Sequence, residues 1–73
     1  MATINLDAKG LRCPQPVIRI AAKSAVLNAG DILVVAADCP TFEQDVRKWC
    51  GRMRKTLLAV TQQNGATIAQ IQF

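Results

Sequence analysis

Residues Ile32–Ala37 read Ile-Leu-Val-Val-Ala-Ala, an unbroken apolar run without a charge or a turn former. A run this short is far from the roughly 20 apolar residues that span a membrane. It is the pattern of a strand covered on a face and flanked by neighbours in a sheet. The cover must come from nearby, because the chain has only 73 residues. A chain of that length buries only about 60% of its unfolded surface, so one shared core is the ceiling. No linker, low-complexity tract or second domain fits, and residues 1–73 are read as one domain.

The flanking pattern supplies the partners. Residues 3–6 predict a short edge-like strand with Ile4 and Leu6 on one face, and residues 7–10 turn out of it. Pro14 and Pro16 stand where a helix begins, the one place a helix tolerates proline. Pro14 is the expected first helical residue, the helix continues over residues 17–27, and Asn28, Ala29 and Gly30 stop it. Asp38, Cys39, Pro40 and Thr41 open a second helix with Phe42, Val46, Trp49, Cys50 and Met53 at helical spacing. Residues 56–61 and 67–71 are rich in β-branched side chains, and the Asn64-Gly65 pair between them signals a hairpin.

The order is therefore βαβαββ. Strand, Cys-Pro, helix occurs twice, at Cys13-Pro14 and at Cys39-Pro40. If the first two strands are parallel, the right-handed crossover rule puts both helices on one face of the sheet. Both Cys-Pro steps then lie at one edge, beyond the carboxyl ends of the strands, where open α/β sheets bind ligands. On the first helix Val17, Ile20, Ala21, Ser24 and Leu27 form the stripe expected to face the sheet. Ile18, Ala22, Ala25 and Val26 lie toward another side, as an exposed surface of small residues or as a contact for another protein or a membrane component.

Composition narrows the chemistry. The chain has no histidine and three aromatics, Phe42, Trp49 and Phe73. Ser-His and Cys-His nucleophilic machinery cannot be built within it, nor a histidine-containing zinc site. So few aromatics also disfavour an RNA surface built on base stacking. The formal charge of +4 favours acidic partners without choosing among them. Five of the nine bases, Arg47, Lys48, Arg52, Arg54 and Lys55, crowd one stretch that reads as a solvated helix end or a docking patch.

Cys13, Cys39 and Cys50 are the reactive groups that remain. They are odd in number, never form C-x-x-C, and match no zinc or iron–sulfur spacing, so no metal or other cofactor is expected. The first ten residues lack the basic-then-apolar pattern of a signal peptide. The expectation is a cytoplasmic location with reduced thiols and no membrane insertion, as a monomer or weak dimer. Cys50 falls on the apolar stripe of the second helix and reads as core. Cys13 falls at or beside the amino end of the first helix. There unpaired N–H groups and the positive dipole end favour a thiolate, and Lys9 and Arg12 add positive charge. A deprotonated sulfur is a nucleophile, and a persulfide on it is an anion that gains from the same field.

Residues 6–17, Leu-Asp-Ala-Lys-Gly-Leu-Arg-Cys-Pro-Gln-Pro-Val, carry a C-P-x-P motif after a Gly-Leu turn. This resembles the signature of the TusA (SirA-like) sulfur-carrier family. The match continues through Gly30-Asp31, Asp38 with Pro40, Asp45-Val46 and Trp49-Cys50. The resemblance implies a two-layer α/β sandwich, with two helices on one face of a mixed four-stranded sheet of order 1-2-4-3 and strand 4 antiparallel. It implies that Cys13 accepts sulfane sulfur as a persulfide and passes it on, with Lys9, Gly10, Arg12, Pro14, Gln15 and Pro16 as the substrate- and partner-binding surround. Family donors include cysteine desulfurases and rhodaneses, and acceptors include DsrE-type relay proteins. Such a protein is a partner-dependent relay more than an independent enzyme.

The chain also departs from the pattern. Gln15 stands where tRNA-thiolation members often carry an acid, and residues 52–55 are more basic than the usual family turn. Cys39 replaces the second aspartate of a common D-D-P, which is similar to the YeeD-type branch that works beside YeeE-type thiosulfate transporters. Cys39 can therefore be a helix cap without chemistry, a thiol that resolves a Cys13 persulfide or forms a disulfide with Cys13, or a participant in thiosulfate handling. The readings carried forward are a Cys13 sulfur carrier, a thiosulfate-uptake accessory using Cys13 and Cys39, and a Cys13–Cys39 thiol–disulfide switch. From another class comes an RNA- or regulator-binding module, because the carboxyl-terminal domain of translation initiation factor 3 shares the topology. That link is analogy of fold alone, and no direct nucleic-acid contact is expected.

Overall fold

The computed structural model describes residues 2–73. The elements are β1 (Thr3–Asp7), α1 (Gln15–Ser24), β2 (Ile32–Ala37), α2 (Phe42–Met53), β3 (Thr56–Gln63) and β4 (Ala66–Gln72). The sheet order is β1-β2-β4-β3, with β1 parallel to β2 and both other pairings antiparallel. This is the mixed four-stranded sheet of the expected two-layer sandwich. The apolar run is one of its two central strands, β2, alternating half-buried and buried positions.

Both helices feed one core. Ile20 of α1 and Phe42, Val46 and Trp49 of α2 pack with Leu33, Val35, Ala69 and Ile71 of the sheet. Parallel β1 and β2 joined through α1 require a crossover, and its fixed hand places α1 on the face that α2 also covers. Phe42 is fully buried, and truncating such a ring typically costs about 3–5 kcal/mol. The opposite sheet face has no helix over it. Ile32, Val34 and Ala36 are half-buried there because Gln72, Gln70 and Ile68 of β4 stand beside them.

The helix ends differ from the sequence expectation, for local reasons. Pro14 is the cap before α1 rather than its first residue, and Gln15 and Pro16 open the helix. At the other end α1 stops at Ser24 instead of running to residue 27. The Ser24 hydroxyl donates to the Ala21 carbonyl at 2.6 Å. The amides of Ala25, Val26 and Leu27 each bond three residues back, which tightens the chain into a turn. Ala21, placed on the sheet-facing stripe, is exposed, as are Ile18, Ala22, Ala25 and Val26.

In α2 the predicted stripe holds except at Met53, which is 48% exposed in the last turn. Glu43 and Asp45 sit in the first turn, where negative charge suits the helix dipole. Arg54 closes the helix in the left-handed region at φ 59°, and the Lys55 amide bonds the Cys50 carbonyl at 2.9 Å. The strands β3 and β4 run longer than predicted because Asn64 and Gly65 alone make the turn. Both have positive φ, 52° and 80°, as a type I′ hairpin needs. A register shift between Leu57 and Ala59 leaves Leu58 exposed. No helix among the described residues is long and apolar enough to cross a membrane.

Candidate functional site

The site is assembled by the parallel pairing of β1 and β2. Leu6 pairs with Val35 and Asp7 with Ala36, so the two strands end level and their following loops emerge side by side. The loop after β1 is held by two local bonds and one to β2. Asp7 Oδ1 accepts the Lys9 amide at 3.0 Å, Ala8 donates to the Ala36 carbonyl at 2.7 Å, and Leu11 donates to Ala8 at 3.4 Å. Gly10 has φ 83°, a conformation that side-chain-bearing residues rarely adopt. Its amide donates to Asp38 Oδ1 at 3.0 Å, which ties the loop after β1 to the loop after β2.

The two loops enclose a cleft of about 480 Å³ whose lining includes Gly10, Arg12 and Cys13 from one side and Asp38, Cys39 and Thr41 from the other. That volume lies within the usual range for small-molecule sites, about 300–1,000 Å³. A disulfide joins Cys13 to Cys39, with their Cα atoms 5.7 Å apart. This separation is within the span of about 4.4–6.8 Å that a disulfide accepts without backbone movement. A disulfide with Cys13 was one of the roles left open for Cys39. The pairing follows from the level strand ends, which bring two cysteines 26 residues apart in sequence into direct contact.

The two cysteines are not equivalent. Both line the cleft, but Cys13 is half-buried whereas Cys39 is only 6% exposed. Cys39 Sγ is 3.9 Å from the Thr41 hydroxyl, and that hydroxyl donates to Asp45 Oδ2 at 3.1 Å. The Cys13 and Cys39 sulfurs and an Asp45 carboxylate oxygen all lie within 4.8 Å of one another. With the disulfide reduced, two thiolates and a carboxylate could hold a thiophilic cation with one position open. With it closed, the sulfurs have no thiolate to offer. Asp45 and Thr41 had not been singled out as part of the site. The signal was available in the sequence, since Asp45 stands one helical turn after Thr41 and Thr41 two residues after Cys39.

The helix start differs from the expected bed of free amides. Pro14 and Pro16 carry no N–H. The amides of Gln15, Val17 and Ile18 are all spent on the carbonyls of Arg12 and Pro14, at 2.7–3.2 Å. The field acting on a Cys13 thiolate is therefore that of the helix dipole and nearby cations. Arg12 lines the cleft and Lys9 is exposed in the same loop. Pro14 and Gln15 are exposed beside Cys13. Pro16 is fully buried, so it fixes the start of α1 against the core and presents no contact surface.

The remaining candidates lie elsewhere. Cys50 is 3% exposed and free, and burial pushes its thiol above the ordinary value. Arg52, Arg54 and Lys55 sit at the far end of α2, about 18 Å of helix from the cleft. Lys55 Nζ rests 5.2 Å from the centre of the Phe73 ring, and Arg47 pairs with Glu43 at 3.0 Å. The basic stretch is thus partly engaged within the chain and forms a surface separate from the sulfur site.

The comparisons with known proteins agree with this picture. The family model described as Sulfurtransferase TusA matches residues 4–72. A protein of Aquifex aeolicus (strain VF5) described as a candidate sulfur carrier is 36% identical over 67 residues, covering 92% of this chain. The chain spans 34% of the length of that relative. The crystal structure of a SirA-like protein from Desulfitobacterium hafniense superposes with a TM-score of 0.79 at 30% identity, covering 99% of this chain and 96% of the other.

Proposed function

Because the chain belongs to the TusA sulfurtransferase family, we propose that it carries sulfane sulfur on Cys13 as a persulfide and relays it to an acceptor protein. The observation that carries this reading is the placement of Cys13. It is half-buried at a cleft lined by Arg12 and precedes the amino end of α1, between the cationic loop after β1 and the exposed Pro14 and Gln15.

Loading is a displacement at sulfur. The Cys13 thiolate attacks the outer sulfur of a donor persulfide, the new S–S bond forms, and the donor's own thiolate leaves. Delivery repeats the step with Cys13 as leaving group and an acceptor thiolate as nucleophile. No proton need be taken by a base once Cys13 is ionised, so the absence of histidine is no obstacle. Donors of the desulfurase or rhodanese kind and a DsrE-type acceptor fit the chemistry, and a reducing cytoplasm fits a thiol that must return to its free form.

A second reading is favoured by the presence of Cys39 in the same cleft. Thiosulfate is a small dianion with a sulfane sulfur. Attack by Cys13 would release sulfite and leave the same persulfide, which suits an accessory to a YeeE-type thiosulfate transporter. The test of both readings is intact mass measured without reductant, after incubating reduced protein with a cysteine desulfurase plus cysteine or with thiosulfate. The carrier reading expects a gain of one sulfur atom at early times that Cys50→Ser shares with wild type and Cys13→Ser lacks. Gain from thiosulfate alone favours the second reading. Equal gain in Cys13→Ser defeats both.

A further inference from the structure

The geometry points to a second reaction at this site, resting on the persulfide reading above. Cys39 resolves the Cys13 persulfide, releasing sulfide and leaving the Cys13–Cys39 disulfide.

Two features of the structure carry this. The first is contact. The loops set the Cα atoms 5.7 Å apart with the two sulfurs bonded, so Cys39 reaches the Cys13 sulfur itself without rearrangement of β1 or β2. In a persulfide that atom is the inner sulfur. The second is the difference in exposure. Both cysteines line the cleft where a donor arrives, but Cys13 is half-buried and Cys39 only 6% exposed. A donor therefore meets Cys13 first, and the buried thiol acts on what Cys13 has received. The Gly10–Asp38 hydrogen bond fixes one cysteine loop against the other, and Thr41 bridges Cys39 to Asp45.

The step balances. The persulfide anion on Cys13 and the thiol of Cys39 give the disulfide and hydrosulfide ion. One S–S bond breaks between the inner and outer sulfurs, and one forms between Cys39 and the inner sulfur. The Cys39 proton leaves with the outer sulfur. That outer atom is reduced to sulfide by two electrons, and the cysteine pair is oxidised by two. An external dithiol then reduces the disulfide and resets the site. The protein therefore has two outlets for its cargo. A docked acceptor takes the outer sulfur intact, and without one Cys39 converts it to sulfide. Delivery by relay must outrun an intramolecular reaction.

The test has two arms on fully reduced, desalted protein. In the first, wild type and Cys39→Ser are loaded with inorganic polysulfide, desalted again, and followed by intact mass and a sulfide-trapping bimane. Wild type is expected to lose its added sulfur, gain the disulfide and release one sulfide per loaded chain, at a rate independent of protein concentration. Cys39→Ser is expected to hold its sulfur at least tenfold longer. Equal lifetimes in the two proteins, or a wild-type rate that scales with concentration, overturn the proposal.

The second arm needs no loading and, for wild type, no variant. Oxidised glutathione should convert wild type to the internal disulfide with no lasting glutathione adduct, whereas Cys39→Ala should keep the adduct on Cys13. A lasting adduct on wild type overturns the proposal independently of how Cys39 variants fold. Failure of both proteins to take up sulfur, with the internal disulfide still forming from glutathione, overturns the carrier reading and sulfide release with it. That pattern is distinguishable from loaded sulfur that Cys39 leaves untouched.

Discussion

The Gly10 amide donates to the Asp38 carboxylate at 3.0 Å, bonding the loop that bears Cys13 to the loop that bears Cys39. The bond joins residues 28 apart in sequence, and the positive φ of Gly10 presents its amide to that carboxylate. Position, rather than any unusual side chain, makes the two sulfurs partners. Removing the carboxylate should loosen that partnership. Asp38→Ala is expected to cost about 0.5–1.5 kcal/mol of stability. It should also slow closure of the Cys13–Cys39 disulfide by oxidised glutathione several-fold, read by intact mass against time. An unchanged closure rate would show that the strand ends alone set the geometry.

Asp31 does a similar job at the opposite edge of the sheet. Its carboxylate accepts the Asn28 amide at 2.9 Å and the Ala2 amide at 3.0 Å. Those two bonds, Asn28 first, hold its carboxyl below the ordinary value of 3.8. A depressed carboxyl contributes stability that is present above the unfolded value and lost as pH falls through the lower folded one. Thermal melts should therefore show Asp31→Asn less stable than wild type at neutral pH, with the gap closing below pH 3.8. A gap that stays constant into acid would remove the carboxylate's charge from the account.

Much of this architecture was legible in the sequence, and the exceptions have physical causes. The apolar run of β2, the Asn64-Gly65 hairpin and the α2 stripe follow from local pattern, because periodicity and turn chemistry act over a few residues. The end of α1 was misplaced because a serine hydroxyl competing for a backbone carbonyl leaves no trace in hydrophobic spacing. The parallel pairing of β1 and β2 had to be assumed, and only the register shows that Cys13 and Cys39 are bonded. Thr41 and Asp45 were legible in principle, since Thr41 stands two residues after Cys39 and Asp45 one helical turn further on, and only their approach to Cys13 depends on the pairing of the two loops. Free amides at the start of α1 do not follow from a double proline, which removes donors as it starts the helix, and the remaining amides there are bonded to the carbonyls of Arg12 and Pro14.

Cys50 separates core from chemistry. It is 3% exposed, and burial raises its thiol above the ordinary value. Cys50→Ser puts a hydroxyl into that core and should cost about 1–3 kcal/mol in denaturant unfolding. Sulfur loading on the folded variant should match wild type. In reduced native protein, alkylation of Cys50 should lag far behind that of Cys13. Rapid native labelling of Cys50 would argue against its place in the core.

The basic end of α2 should matter to protein partners and not to small donors. Arg52 and Arg54 are exposed at the far end of the helix from the cleft. Replacing both with glutamate is expected to leave loading by polysulfide unchanged. If this end docks an acidic donor protein, the same change should slow protein-mediated loading several-fold at low salt, with the difference shrinking as salt is raised. A loss of polysulfide loading would mean that the two surfaces are not independent.

The central claim is that Cys13 is the atom-bearing residue, and the most direct measurement maps the sulfur to its position. Reduced Cys39→Ser, which lacks the resolving thiol, is loaded by a cysteine desulfurase with isotopically labelled cysteine, alkylated, digested and sequenced by tandem mass spectrometry. The account predicts an alkylated persulfide on the peptide containing Cys13 and none on the peptide containing Cys50. Labelled sulfur on Cys50, or equal loading of a Cys13→Ser/Cys39→Ser double variant, would contradict it.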